Sequence, residues 1–156
     1  MKVVFLTVAT AKEEWADQAI GLYLKKLNHF FPTEYRSLKP KKYSRDSSEI
    51  KKQEDSVLLL ESISKDDFVF LLDEKGQTLD SLQFSKKIET VLMSGKKRIV
   101  FVVGGAFGVS EELKKRADLQ LSLSKMVFNH LVAQVVVCEQ VYRALTIKNN
   151  LPYHNL

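Results

Sequence analysis

Cysteine is nearly missing from these 156 residues, with Cys138 the single example. An intramolecular disulfide is therefore impossible, a zinc cluster built on thiolates is excluded, and the composition points to a reducing cytoplasm. Long apolar runs are missing too. The N-terminal stretch Met1-Lys2-Val3-Val4-Phe5-Leu6-Thr7-Val8-Ala9 is too short for a membrane span and lacks the flanks of a signal peptide, so it reads as a buried first strand. There are no repeats, low-complexity tracts or linker-like stretches, and residues 1–156 read as a single domain. A chain of this length buries roughly 70% of the surface exposed in its unfolded form. With 45% hydrophobic and 28% charged residues, it has the composition of an ordinary globular protein rather than a disordered or membrane one. Acidic excess is also lacking: 24 Lys and Arg against 19 Asp and Glu leave a net charge of +5, which favours an anionic partner such as nucleic acid.

What is present is an alternation of strand-length apolar runs with segments of helical periodicity, the pattern of an α/β domain with a mainly parallel sheet of five strands. After the first strand, Trp15, Ala19 and Leu22, with Ile20, Tyr23 and Leu27, predict one broad apolar helical face with Trp15 in the core. Pro32 ends that unit, and residues 35–38 predict a short second strand. Lys39, Lys41, Lys42 and Arg45 then gather around Pro40 and Tyr43; they form either a phosphate-contacting patch or a solvated loop. A helix is expected over 48–63, and a third strand over 68–72 that stops at Asp73-Glu74-Lys75-Gly76. Helical spacing returns at Phe84, Ile88, Val91 and Leu92 and closes at Ser94-Gly95, and a fourth strand over 98–103 runs into Gly104-Gly105. A short helix from Glu111, a fifth strand near 119–123 and a long helix from about 129 to 148 complete the chain. The long helix carries Leu131, Val132, Val135, Val136, Val137, Val141, Ala144 and Leu145, a stripe broad enough to predict a second buried surface such as a dimer interface.

The strongest local signal is Val103-Gly104-Gly105-Ala106-Phe107-Gly108-Val109-Ser110-Glu111-Glu112, a strand meeting a glycine-rich loop and a helix start. Its spacing is neither that of a dinucleotide fingerprint nor that of a P-loop. Ser110 is a suitable N-cap, and two carboxylates in the first helical turn would repel a phosphate. A ligand without phosphate, such as S-adenosylmethionine with its sulfonium cation, suits this setting better than a nucleotide does; a tight turn into a well-capped helix is the alternative. In open α/β sheets ligands bind beyond the carboxyl ends of strands, which collects Leu72 with Asp73, Gly104 with Gly105, and the chain from Leu123 onward. That last stretch, Ser122-Leu123-Ser124-Lys125-Met126-Val127-Phe128-Asn129-His130, offers backbone amides for adenine edges and apolar groups for its faces.

Together Gly104-Gly105-x-x-Gly108, Leu121-Ser122-Leu123-Ser124, Tyr142-Arg143-Ala144 and the terminal Pro152-Tyr153-His154 carry a full-length resemblance. The chain resembles the bacterial ribosomal RNA large-subunit methyltransferases that methylate N3 of a pseudouridine in helix 69 of 23S rRNA, members of the SPOUT superfamily. The resemblance implies a mainly parallel sheet flanked by helices, with a C-terminal deep trefoil knot that topology rules alone would not suggest. It implies a homodimer acting on 23S rRNA within the ribosome, away from any membrane, and an S-adenosylmethionine pocket formed by Leu72, Gly104, Leu123, Ser124, Lys125, Met126, Val127 and Phe128. It also implies that His154 positions or deprotonates the base, that Tyr153 offers a stacking face, and that Arg143 holds a phosphate or the base, with no metal required. This chain departs from the family pattern at Asn129 and Gln134, where many relatives carry proline and arginine. A transfer RNA methyltransferase of related fold and a non-catalytic ribosome-associated RNA-binding protein are the rival readings.

Overall fold

The elements follow one another as β1 (Lys2–Val8), α1 (Glu14–Leu27), β2 (Thr33–Leu38), α2 (Ser48–Glu61), β3 (Asp67–Thr78), α3 (Ser81–Leu92), β4 (Arg98–Val103), α4 (Glu111–Arg116), β5 (Leu119–Ser122) and α5 (His130–Lys148). They come from a computed structural model that describes residues 1–9, 11–40 and 47–155. Lys41, Lys42, Tyr43 and Arg45 of the basic stretch lie outside the described residues. The five strands form one sheet in the order β2-β1-β4-β3-β5, and every pairing is parallel. The expected α/β architecture is what these residues build. Among them no helix is long and apolar enough to cross a membrane.

Strand alternation divides the core into two layers. Val3, Phe5, Phe70, Ile99 and Phe101 point to one face and are covered by Ile20 of α1, Phe84 and Ile88 of α3, and Val137 and Val141 of α5. Val4, Leu6, Val69, Leu71, Val100 and Val102 point to the other, under Leu59 of α2 and Leu113 of α4. In the central strands Phe5 and Phe70 both stand in register with Phe101, and the rings stack across the sheet at 5.3 and 4.9 Å. Such stacked pairs contribute about 0.5–1.5 kcal/mol beyond the area they bury.

Two expectations need correction. Trp15 is not in the core but 49% exposed, and Leu22, seven residues on, is exposed with it. The stripe that meets the sheet is Ala16, Ile20 and Leu27, so the apolar face of α1 is narrower than its sequence suggests. Nor does β3 stop at Asp73. It runs on to Thr78 because residues 77 and 78 pair with β5, a contact that no local signal in Asp73-Glu74-Lys75-Gly76 announces. Leu121 consequently pairs with both Leu72 and Gln77. Gly76 lies flat against the intervening backbone: a Cβ there would stand 2.6 Å from the Gln120 carbonyl carbon and 2.7 Å from the Leu121 nitrogen.

At the opposite end of the sheet Asp67 is buried where β3 begins, facing Arg98 at the start of β4. The guanidinium donates to it through Nε at 2.7 Å and Nη2 at 2.5 Å, and the Ser64 N–H donates at 2.7 Å. Burial on its own would raise this carboxyl. The Arg98 fork and the Ser64 amide overcome that and hold it below its ordinary value.

Two predictions follow from these contacts. Gly76→Ala has backbone, not a yielding side chain, in its way, and is expected to lower the urea midpoint by an amount equivalent to about 1–3 kcal/mol. Arg98→Met leaves the buried Asp67 carboxylate with the Ser64 amide but without its charged partner and is expected to cost about 3–5 kcal/mol at neutral pH. The sign of the pH dependence is set by the lowered folded-state value of Asp67. The stabilisation is present above the ordinary value of 3.8 and lost as pH falls below it, so the denaturation curves of wild type and variant should converge in acid.

Candidate functional site

The carboxyl ends of β3, β4 and β5 meet, with Leu72 in register with both Val103 and Leu121. Beyond them opens a cavity of about 520 Å³, within the range of small-molecule sites. Its walls come from one stretch of β3 and two loops. Leu72, Asp73, Glu74 and Lys75 form one side, residues 103–109 a second, and Leu123, Ser124, Met126, Val127 and Phe128 the third. Lys52 of α2, Lys114 of α4 and His130 at the start of α5 add polar groups to the rim. Of the eight residues singled out as a pocket from the sequence, Leu72, Gly104, Leu123, Ser124, Met126, Val127 and Phe128 line this cavity. Lys125 is exposed and is not part of its wall.

Local chemistry holds each loop in place. Gly108 donates its N–H to the Gly105 carbonyl at 3.1 Å, closing the glycine turn. Ser110 caps α4 by accepting from the Leu113 N–H at 3.2 Å, with Glu111 and Glu112 in the first turn. The Ser122 hydroxyl donates to the Ser124 carbonyl at 2.9 Å, and Ser124 Oγ accepts from the Met126 N–H at 2.9 Å. Asn129 accepts from the Leu131 N–H at 2.9 Å and serves as the N-cap of α5. Lys114 reaches to within 3.9 Å of Asp73, leaving the rim with charges of both signs.

One contributor carried no recognisable signal in the sequence. Asp55, in the middle of α2, is buried behind the glycine loop, and its Oδ2 stands 2.6 Å from where a Cβ on residue 105 would be. Only glycine leaves room for that carboxyl. Its Oδ1 has no hydrogen-bond partner among the described residues, and burial, followed by the Glu54 charge, raises its pKa. The neighbouring Ser56 hydroxyl accepts from the Ser110 N–H at 2.8 Å, so α2 holds both ends of the turn. A mid-helix aspartate has no distinctive spacing, and only the packing of α2 on the loop picks it out.

Arg143, Tyr153 and His154 come together, but elsewhere. Asn150 adopts a left-handed φ of 54° after α5, which turns the chain back along the last turns of the helix. Leu151 N–H donates to the Thr146 carbonyl at 2.9 Å, so the tail is docked rather than frayed. Tyr153 donates its hydroxyl to Glu139 Oε1 at 3.0 Å, and Arg143 donates to the same oxygen through Nε at 3.0 Å and Nη2 at 2.6 Å. The guanidinium also lies 4.8 Å over the Tyr153 ring and directs Nη1 at His154 Nδ1, 3.2 Å away. Burial, the Tyr23 and Glu139 hydrogen bonds and the Glu139 charge push the Tyr153 phenol well above its usual range, so it remains a donor. Arg143 is thirteen residues after His130, and at the helical rise of about 1.5 Å per residue these two positions are roughly 20 Å apart along α5.

Gln134 lies between the two and faces inward. It is buried, donates to Thr7 Oγ1 at 3.2 Å and accepts from the Tyr35 hydroxyl at 2.6 Å. Burial pushes that phenol up to about 12. Position 134 is therefore part of an internal hydrogen-bonded chain joining β1, β2 and α5.

Known proteins resemble this chain in sequence and in fold. The chain is 53% identical over the whole of both chains to the ribosomal RNA large subunit methyltransferase H of Bdellovibrio bacteriovorus. It is 38% identical, over 99% of each, to the protein of that name from Parabacteroides distasonis. A solved structure titled as a probable methylase family protein from Haemophilus influenzae shares the fold at 14% identity, with a TM-score of 0.55 over 99% of this chain and 70% of that one. Residues 1–154 match the family described as "Predicted SPOUT methyltransferase", and with full-length relatives at this identity the chain belongs to the SPOUT methyltransferases.

Proposed function

We propose that this chain is an S-adenosylmethionine-dependent methyltransferase of large-subunit ribosomal RNA, acting at N3 of a pseudouridine in helix 69 of 23S rRNA. The observation that carries the reading is the convergence of three strand ends on one cavity in a chain whose full-length relatives are named as ribosomal RNA large subunit methyltransferases. We read residues 1–156 as one domain working in the cytoplasm.

The residues present suit S-adenosylmethionine. Leu72, Leu121, Leu123 and Phe128 offer apolar walls for an adenine ring, while the backbone of 123–128 offers edges for it. Asp73 and Glu74 suit cationic groups, and Lys52 and Lys114 suit a carboxylate. When bound, this donor supplies a methyl group activated by a sulfonium. The chain's own residues then have to orient the acceptor nitrogen in line, exclude water and dispose of the N3 proton. His154 Nδ1 faces an Arg143 N–H, and a ring that accepts there through Nδ1 presents an N–H at Nε2. Such a ring donates to a pyrimidine carbonyl. We therefore assign His154 to holding the base, Tyr153 to a stacking face and Arg143 to fixing both.

The placing of cavity and tail cluster toward opposite ends of α5 supports a homodimer in which the tail of one protomer completes the cavity of its partner. Met126, Val127, Phe128 and Val132 form an exposed apolar surface beside the cavity, which suits such an interface. We also propose that the C-terminal part of the chain forms a deep trefoil knot, a reading supported by its membership of the SPOUT family.

Calorimetry should show binding of S-adenosylmethionine and none of NAD or ATP at equal concentration. RNA affinity without donor binding would instead indicate a non-catalytic RNA-binding protein. Ribosomes lacking the modification should acquire one methyl group in helix 69 by mass mapping, and a label in another segment or in transfer RNA would overturn the substrate. Tyr153→Ala and His154→Ala should each slow transfer by about a hundredfold, the cost of a substrate base held out of line. Donor affinity should be unchanged in both. Mixing a tail-defective His154→Ala chain with a cavity-blocked Ser124→Arg chain should restore turnover; a fully active monomer in sedimentation would overturn the shared site.

A further inference from the structure

Lys26, near the end of α1, sits among three aromatic rings. Its Nζ is 5.5 Å from the Tyr23 centroid, 5.2 Å from that of Tyr142 and 5.9 Å from that of Tyr153. Tyr142 and Tyr153 themselves meet edge to face at 4.8 Å. Rings at these distances hold a cation without neutralising it. The carboxylate of the cluster is already engaged, since Glu139 accepts from Arg143, Tyr153 and the Gln140 amide. Lys26 pairs with no carboxylate among the described residues, and the surface where α1, α5 and the tail meet carries an uncompensated positive charge framed by aromatic faces. A lysine at a helix C-terminus can serve the helix dipole alone. That role requires no ring beside the ammonium, and here three converge on it from α1, α5 and the tail.

We propose that Lys26 is an RNA-backbone contact, its ammonium held by Tyr23, Tyr142 and Tyr153 so that a phosphate docks beside the nucleotide engaged by the tail. The ligand is a polynucleotide phosphate, recognised as a point charge and without regard to sequence. This rests on the RNA substrate proposed above. It adds a positioning residue from α1, outside every motif considered in the sequence.

The test is filter binding of the full-length protein to ribosomes and to protein-free large-subunit rRNA over a range of salt. Lys26→Met and Lys26→Gln should each reduce the magnitude of the slope of log K against log salt by about 0.7–0.9, the loss of one phosphate contact. They should weaken both RNAs alike and leave S-adenosylmethionine affinity unchanged, and Lys26→Arg should restore the slope. A lowered melting temperature with an unchanged slope would show Lys26 to be a packing residue and overturn the inference. Absence of RNA binding by the wild-type chain would instead reject the RNA substrate itself, and this contact with it.

Discussion

The organisation of the site depends on how β3 holds β5. With four residues, β5 is too short to secure itself, and Leu121 pairs with both Leu72 and Gln77 as β3 bends around it. The bend is possible because residue 76 has no side chain to keep it away from the Gln120–Leu121 peptide. Fixing β5 there sets where residues 123–128 emerge, which puts them opposite the glycine loop and beside Leu72. The cavity is the space left between these three stretches, and its shape follows from one close crossing of backbone.

From that point α5 acts as a rigid spacer. Asn129 starts the helix at the cavity, and Asn150 ends it in a left-handed turn that folds the tail back on itself. Glu139 organises the far end, since its carboxylate orients Arg143 and Tyr153 together and Arg143 in turn orients His154. A helix cannot shorten, so the two groups of residues remain separated within one chain. The division suits the proposed reading, with an open cavity for the methyl donor and a positive aromatic surface for the RNA.

Two buried aspartates show how differently the fold treats charge. Asp67 is met by a guanidinium fork and an amide, and ties two strands together where they begin. Asp55 is left with an unpartnered oxygen against the glycine turn. A buried acceptor without a donor costs about 1–3 kcal/mol, and a fold that retains one beside a cavity accepts that loss next to its functional site.

The periodicity of the chain by itself determined the layers. Alternating residues such as Phe5 and Leu6 sort to opposite faces of a strand whatever surrounds them, and the cap at Ser110 acts within three residues, so both were legible. The gathering of Leu72, Gly104 and Leu123 at one edge was legible for the same reason, because parallel strands run in one direction. Only the tertiary structure decided that β3 would continue past Asp73, that Trp15 would face outward, and that Gln134 would turn inward to Thr7 and Tyr35. It also decided that Asp55 would lie against Gly105, and that Arg143 and His154 would gather far from the cavity. Each of these depends on contacts between residues distant in the chain, or on the distance a rigid helix imposes, and neither leaves a mark on the local sequence.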